Sequence, residues 1–118
     1  MKRIIYSSKK VEKYFLDLNS LKKKCGVPLT KQIVKRIMQL ESFGNVYELV
    51  NAPIDHPHFL EGDLLGCIGW SLNSNVRLIL DTGKGDKPKN IQEMKDIEEI
   101  IIKGVVDYHG KKNEWIIN

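Results

Sequence analysis

The stretch IIIKGVVDYH, residues 100–109, is the most informative part of this 118-residue chain. Its consecutive apolar residues predict a strand buried on both faces, and Val105 and Val106 favour a strand over a buried helix. A carboxylate, a phenol and an imidazole follow: Asp107, Tyr108 and His109. Successive strand side chains point to opposite faces, so Asp107 and His109 are expected to share one face. We expect a central strand whose C-terminal end carries either a functional cluster or an ordinary polar cap.

Two amphipathic helices are predicted upstream of this strand. After a short strand at 3–6, Ser7 or Ser8 can cap the first helix. Apolar residues then recur three and four apart: Val11, Tyr14, Phe15, Leu18 and Leu21. A Gly–Pro break precedes a second helix over 29–42, and Gly44 supplies its stop signal. Two adjacent helices with a short joint predict an αα-hairpin.

The remaining predicted elements are mainly strands. They cover 46–50, 67–72, 76–80 and 97–106, and Asn73-Ser74-Asn75 joins the middle two as a hairpin. The polar loop at 81–95 leaves room for one helical turn, and the tail from Lys111 to Asn118 is expected to dock on the body. This order predicts a single α+β domain over 1–118. The two N-terminal helices would pack on a twisted, mostly antiparallel sheet of four to five strands.

Composition favours a small globular protein of the cytoplasm. The 42% hydrophobic content is enough for one packed core. No apolar stretch is long enough to span a bilayer or to form a secretory signal, so no membrane partner is expected. Cys25 and Cys67 are expected to be free thiols in a reducing cytosol, and they lack further ligands at the spacing of a metal site.

The net charge of +4 hides a strong asymmetry. Residues 1–40 hold 11 Lys and Arg against 2 Asp and Glu, a balance of +9, whereas residues 41–118 hold 8 against 13, a balance of −5. Six lysines fall largely off the apolar helix stripe: Lys9, Lys10, Lys13, Lys22, Lys23 and Lys24. Such a segment indicates a polyanion or an acidic protein partner, unless it is an ordinary solvated helix face.

Several short motifs occur in a particular order along the chain: Gly26-Val27-Pro28, His58-Phe59-Leu60-Glu61-Gly62-Asp63, Trp70-Ser71, Asn75-Val76-Arg77 and Asp107-Tyr108-His109. This order resembles the HigB family of bacterial toxins, within the RelE/ParE superfamily. The resemblance covers about 21–109 and rests on the order of the motifs, since each alone is weak. The chain departs from the family in having extra sequence between Gly66 and Trp70, Val76 in place of an aromatic residue, and a longer loop at 83–95.

The resemblance implies a RelE-like fold and a specific activity. The expected protein is a ribosome-dependent mRNA endonuclease (an mRNA interferase) of a type II toxin–antitoxin system, working without a metal or other cofactor. Its partners would be the ribosome, mRNA and a HigA-like helix-turn-helix antitoxin. The alternatives are a ParE-like protein that poisons gyrase and a catalytically inactive component that binds an antitoxin or acts in repression. The six lysines would contact ribosomal RNA phosphates.

The resemblance also assigns roles to five residues. His58 and Asp107 would lie near the 2′-hydroxyl, one as base and the other orienting it. Arg77 would clamp the phosphate, Tyr108 would donate to it or stack on a base, and His109 would be the acid.

Each assignment has a competing structural interpretation. His56 offers a second imidazole beside His58, and Arg77 could pair with Asp63 or Asp81 on the sheet. Asp107 could cap the strand and Tyr108 could point into the core. Trp70 is expected in the core because of its large apolar surface.

Overall fold

The computed structural model describes residues 1–109 and 112–118, and for His109 it gives the position in the strand but not the side chain. Five α-helices and one sheet are formed by these residues. The helices are α1 (Lys9–Leu16), α2 (Leu18–Cys25), α3 (Val27–Ser42), α4 (Val46–Val50) and α5 (Ile91–Asp96). The strands are β1 (Arg3–Tyr6), β2 (His58–Phe59), β3 (Cys67–Ser71), β4 (Val76–Asp81), β5 (Glu99–His109) and β6 (Lys112–Ile117). This is an α+β architecture, as predicted.

The predicted first helix is in fact two helices. Ser8 caps α1 by accepting the Val11 N–H. Asp17 then adopts an extended conformation, which ends α1, and its carboxylate accepts the backbone N–H groups of Asn19 and Ser20. A side chain that satisfies the free N–H groups of a new first turn makes a restart favourable at that position. The apolar spacing continues across Asp17, and for this reason the periodicity alone missed the break.

The strand predicted at 46–50 is wrong, because this segment forms α4. The Asn45 side chain accepts the Glu48 N–H and starts a helical turn. Val46 and Leu49 are then three residues apart, and both are fully buried. The β-branched composition of the segment indicated a strand, but the cap and the tertiary packing decide the outcome. Consequently the helices are not confined to the N-terminal part of the chain.

The sheet is mixed, with six strands in place of the four to five predicted. Its order is β1-β5-β4-β3-β2, and β6 also pairs with β5. The β1–β5 pair is parallel and all the others are antiparallel. The additional strands are the two-residue β2 and the tail, which was expected only to dock on the body. The predicted β3–β4 hairpin and the helical turn at α5 are both confirmed.

Strand β5 is central, and one of its edges is shared by two neighbours. Strand β4 pairs along one edge, while the other edge pairs with β1 over 99–102 and with β6 over 105–109. Gly104 lies at the change of neighbour, with φ of 153°. A Cβ atom added there would lie 1.9 Å from the Ile117 carbonyl oxygen, so only glycine allows β6 to approach this closely. The predicted strand end at Val106 is also wrong, since β5 continues through His109.

The sheet has a helix-covered face and an open face, the latter being the one that no helix of residues 1–109 or 112–118 covers. The main core lies between the helices and the first face, and Trp70 is fully buried in it, as expected. A smaller apolar cluster lies on the open face. Its buried members are Leu60, Cys67, Ile79 and Val106, and Leu64, Tyr108 and Trp115 pack against them. The open face therefore has an apolar floor on which polar side chains can be fixed.

Candidate functional site

Arg77 and Tyr108 form the best-defined polar contact on the open face. Arg77 pairs with Val106 across β4 and β5. Side chains of directly opposed residues lie on the same face of a sheet, so Arg77 lies on the open face with Val106. Tyr108 is two residues further along β5, and its ring lies 4.6 Å from the Arg77 guanidinium carbon, measured to the ring centroid. The planar guanidinium is therefore held over an aromatic ring, in a contact that favours a fixed orientation.

The competing interpretation paired Arg77 with Asp63 or Asp81, and neither pair is among the three ion pairs between described residues. The Asp81 carboxylate instead accepts the Gly83 N–H at 2.8 Å. Tyr108 packs on the small open-face cluster and not in the main core. Arg77 thus keeps hydrogen-bond donors that an external anion can use.

His58 lies on the same face as Arg77. It pairs with Gly69, which pairs with Ile79 on β4, and Ile79 is two residues from Arg77. Strand spacings of about 4.8 Å and a rise of about 3.4 Å per residue put the His58 and Arg77 Cα atoms roughly 12 Å apart. Ser71 lies between them, directly opposite Arg77. In the sequence Ser71 is only part of the Trp70-Ser71 motif, and the register of the hairpin is the signal that places it opposite Arg77.

The His58 ring is oriented by its neighbour in the loop. His58 Nδ1 lies 2.9 Å from the His56 carbonyl oxygen, and the two imidazoles stack with centroids 4.6 Å apart. A carbonyl oxygen can only accept, so Nδ1 carries the proton in this contact and the neutral ring presents an unprotonated Nε2. His56 is more exposed than His58. The geometry gives His56 a supporting role and leaves His58 as the better candidate base.

Asp107 does not join this group. It pairs with Val76, a residue of the main core, and its side chain therefore follows the helix-covered face. The expectation that Asp107 and His58 lie together in one pocket does not fit this register, because β5 continues as a regular strand where the sequence predicted its end. His109 pairs with Lys112 through the backbone. Its side chain lies outside the described part of the chain, so its predicted role as the acid stays a prediction.

The predicted RNA-binding lysines lie on the other side of the sheet from Arg77. All six are exposed, and they occupy α1 and α2, which pack on the helix-covered face. Two shallow clefts at the α1–α2 junction have volumes of about 270 and 250 Å³. Their lining residues are Lys10, Lys13, Tyr14, Ser20, Lys23 and Lys24. These lysines can contact a large polyanion, but not the same short segment of it as Arg77.

The long loop after β4 lies at the rim of the open face. Lys87 forms an ion pair with Glu61, and the backbone at Asp86 approaches Gly66 so closely that a Cβ there would lie 3.0 Å from the Asp86 nitrogen. The loop at 83–95 therefore packs on the segment that follows His58.

Another cleft is separate from these residues. It has a volume of about 440 Å³, and its charged lining is mixed: Lys2, Arg3, Lys84, Asp96, Glu98 and Glu99. Within the described chain, no three His, Cys, Asp or Glu side chains are placed to bind a metal ion. No helix in the same residues is long and apolar enough to cross a membrane.

Comparison with known proteins supports the fold. No protein-family model matches the sequence, and no curated protein matches it. A solved structure, the YoeB–YefM complex from Staphylococcus aureus, contains a chain that superimposes with a TM-score of 0.52 at 18% sequence identity. The match covers 91% of this chain and 95% of that chain. At this identity the likeness shows a shared fold, and function has to be argued from the site.

Proposed function

We propose that this chain is the ribosome-dependent mRNA endonuclease of a type II toxin–antitoxin system. The observation that carries the proposal is the Arg77–Tyr108 stack on the open face, with His58 on that same face. A guanidinium, an aromatic ring and an imidazole supply the three contacts that cleavage of single-stranded RNA needs. They bind a phosphate, stack on a base or donate to the phosphate, and move a proton.

The proposed reaction uses His58 as the base. Its Nε2 takes the proton of a 2′-hydroxyl, and that oxygen attacks the neighbouring phosphorus. Arg77 stabilises the crowded phosphorane through charge-assisted hydrogen bonds. His109 stays the predicted acid for the leaving 5′-oxygen. Asp107 stays a predicted site residue, but it follows the opposite face of β5 from Arg77 and takes no step in this reaction.

A cleavage assay with ribosomes and messenger RNA tests the proposal. His58→Gln and Arg77→Ala should each lower the cleavage rate by about 10²-fold or more. His109→Gln tests the acid in the same assay, and unchanged cleavage would remove His109 from the mechanism. The matched control is Arg3→Ala, which removes an exposed strand arginine that pairs with Glu99. It should stay within about threefold of the native rate on the same reasoning.

The same assay separates the alternatives. A native chain that leaves ribosome-bound message intact but blocks DNA supercoiling by gyrase would favour the ParE-like alternative. A chain inactive in both assays that still binds its partner would favour the inactive antitoxin-binding component. Either result would reject the endonuclease proposal.

The proposed protein partner is a HigA-like helix-turn-helix antitoxin. Large apolar side chains are exposed along α1 to α3: Leu16, Leu18, Val27, Val34 and Met38. Lys31 and Lys35 are exposed on α3 among them. Lysines can bind phosphate, but exposed valine and methionine gain nothing from it, so the α3 surface fits an acidic amphipathic protein segment better than RNA. We assign α3 to the antitoxin and the lysines of α1 and α2 to ribosomal RNA.

Two double variants test this assignment. Val34→Asp with Met38→Asp should abolish copurification with a helix-turn-helix protein encoded by an adjoining gene, and should leave cleavage intact. Lys22→Glu with Lys23→Glu should leave copurification intact and should lower cleavage, because it weakens ribosome binding in a salt-dependent way. Loss of antitoxin binding only in the lysine variant would move the antitoxin surface to α2.

A further inference from the structure

Arg36 is the one charged side chain among the buried residues of the described chain, at 2% exposure. It lies on α3 between Ile33 and Leu40, within the apolar stripe that faces the sheet. Burying a guanidinium is unfavourable unless its charge and its N–H groups are matched by partners. The partners of Arg36 therefore indicate what this residue holds in place.

The contacts of Arg36 extend in three directions. Its Nε and Nη2 donate to the Ser71 carbonyl oxygen at 3.2 and 3.1 Å. Nη1 donates to Gln39 Oε1 at 2.9 Å, and Nη2 also forms an ion pair with Asp55. The guanidinium carbon lies 5.2 Å from the centroid of the Trp70 ring. One buried group thus links α3, the end of β3 and the loop before β2.

That loop carries the two histidines in a conformation that needs support. Asp55 and His56 have φ values of 49° and 52°, and in the described chain they are the non-glycine residues with positive φ. The left-handed region is unfavourable for residues with a Cβ, although Asp and His adopt it more often than most. The Trp70 indole N–H donates to the Ile54 carbonyl at 2.7 Å, which fixes the residue before Asp55. Arg36 and Trp70 together hold the turn that leads directly into His58.

The contact between Arg36 and the Ser71 carbonyl oxygen reaches the part of the site that contains Arg77. Ser71 is directly opposite Arg77 in the β3–β4 hairpin. The Arg36 hydrogen bonds to the Ser71 carbonyl therefore fix the backbone beside Arg77. The same side chain that holds the His58 loop also holds the strand facing the phosphate-binding arginine.

We propose that Arg36 is a positioning residue that acts through Asp55 and Ser71 to set the His58 imidazole relative to Arg77. The effect of Arg36 on catalysis rests on the proposed RNA cleavage, whereas its effect on the position of the His58 imidazole does not. The alternative is that Arg36 contributes to folding stability alone. The two differ in whether a change at Asp55 moves the imidazole of a chain that is still folded.

Asp55→Ala is the primary test, because Asp55 is half-exposed and its loss removes no core volume. We expect nitrogen NMR of the imidazoles to show that His58 no longer protonates Nδ1 alone, and the nuclear Overhauser contacts between the His56 and His58 rings to weaken. The cleavage kcat should fall about tenfold or more with little change in KM, since small misplacements of a catalytic group have large rate effects. Asp55→Glu, which keeps a carboxylate, should recover part of both signals.

Asp63→Asn is the matched control, because Asp63 is an exposed acid that follows His58 in the chain, as Asp55 precedes it. The imidazole spectrum and the cleavage rate should both stay native in this variant. Arg36→Met is a second variant that should reproduce the Asp55→Ala spectrum if it folds. A native imidazole spectrum in folded Asp55→Ala would overturn the proposal, whatever the loss in Tm. If the imidazoles change but the native chain cleaves no RNA, the endonuclease proposal fails and the positioning of His58 by Arg36 stands.

Discussion

Gly104→Ala should destabilise the sheet at the point where β5 changes its neighbour. The added Cβ would lie 1.9 Å from the Ile117 carbonyl oxygen, whereas ordinary contact begins near 3.4 Å, so β5 and β6 must separate by 1.5 Å. Overpacking of this kind costs about 1–3 kcal/mol, and the φ of 153° adds strain for any residue with a Cβ. We expect a loss of about 3 kcal/mol on these two grounds. Unfolding entropy scaled to this chain length turns that loss into a fall in Tm of roughly 12 °C.

Calorimetry and amide exchange measure this effect. Gly85→Ala is the matched control, because Gly85 has φ of 80° but, beyond its chain neighbours, no atom of the described residues lies within 4 Å of the place that a Cβ would occupy. It should lower Tm by roughly 4 °C through backbone strain alone. Gly104→Ala should also speed amide exchange along β6, next to Asp107-Tyr108-His109. Equal Tm shifts for the two variants would refute the close-contact argument.

Two further predictions concern titratable groups. The Ser20 hydroxyl and the Ser20 and Asn19 N–H groups hold the pKa of Asp17 below its usual range. The stabilisation of α2 by the Asp17 carboxylate is therefore fully present above the ordinary carboxyl pKa of about 3.9, and it is lost as pH falls through the lower pKa of the folded state. Amide exchange in α2 should become faster over this pH range in the native chain but not in Asp17→Asn. Burial, followed by the charge of Asp81, raises the pKa of the Cys67 thiol, so a disulfide reagent should modify Cys67 only when the chain unfolds, and rapid modification of the folded chain would contradict this.

The sequence predicted the elements whose signals are local. The β3–β4 hairpin follows from two short apolar runs around Asn73-Ser74-Asn75. The cap at Ser8 and the turn at α5 have similarly clear local signals. Errors arose where a single polar residue overrides the apolar pattern, as at Asp17 and Asn45. Both residues accept backbone N–H groups, and this contact starts a helix that the spacing of apolar residues does not indicate.

The site was less predictable than the fold, because the face of the sheet on which a side chain lies depends on how strands distant in sequence pair with one another. The types of residue in the site could be named from the motifs, and His58, Arg77 and Tyr108 do share a face. The supporting contacts of Arg36 could not be placed, since Asp55 and Ser71 are far from it along the chain. A charged residue within a buried helix stripe was the available signal, because such a residue requires partners.

Register also explains why the Asp-Tyr-His motif is divided between the two faces of the sheet. A slip of one residue along β5 would exchange the faces of all its side chains, bringing Asp107 to Arg77 and moving Tyr108 to the helix-covered side. The irregularities beside Gly104 act against such a slip. Pairing with β4 shifts between Ile79 and Leu80, and pairing with β6 shifts between Val105 and Val106. Because Gly104 lies between these two shifts, the close approach of Ile117 fixes the register that presents Tyr108 to Arg77.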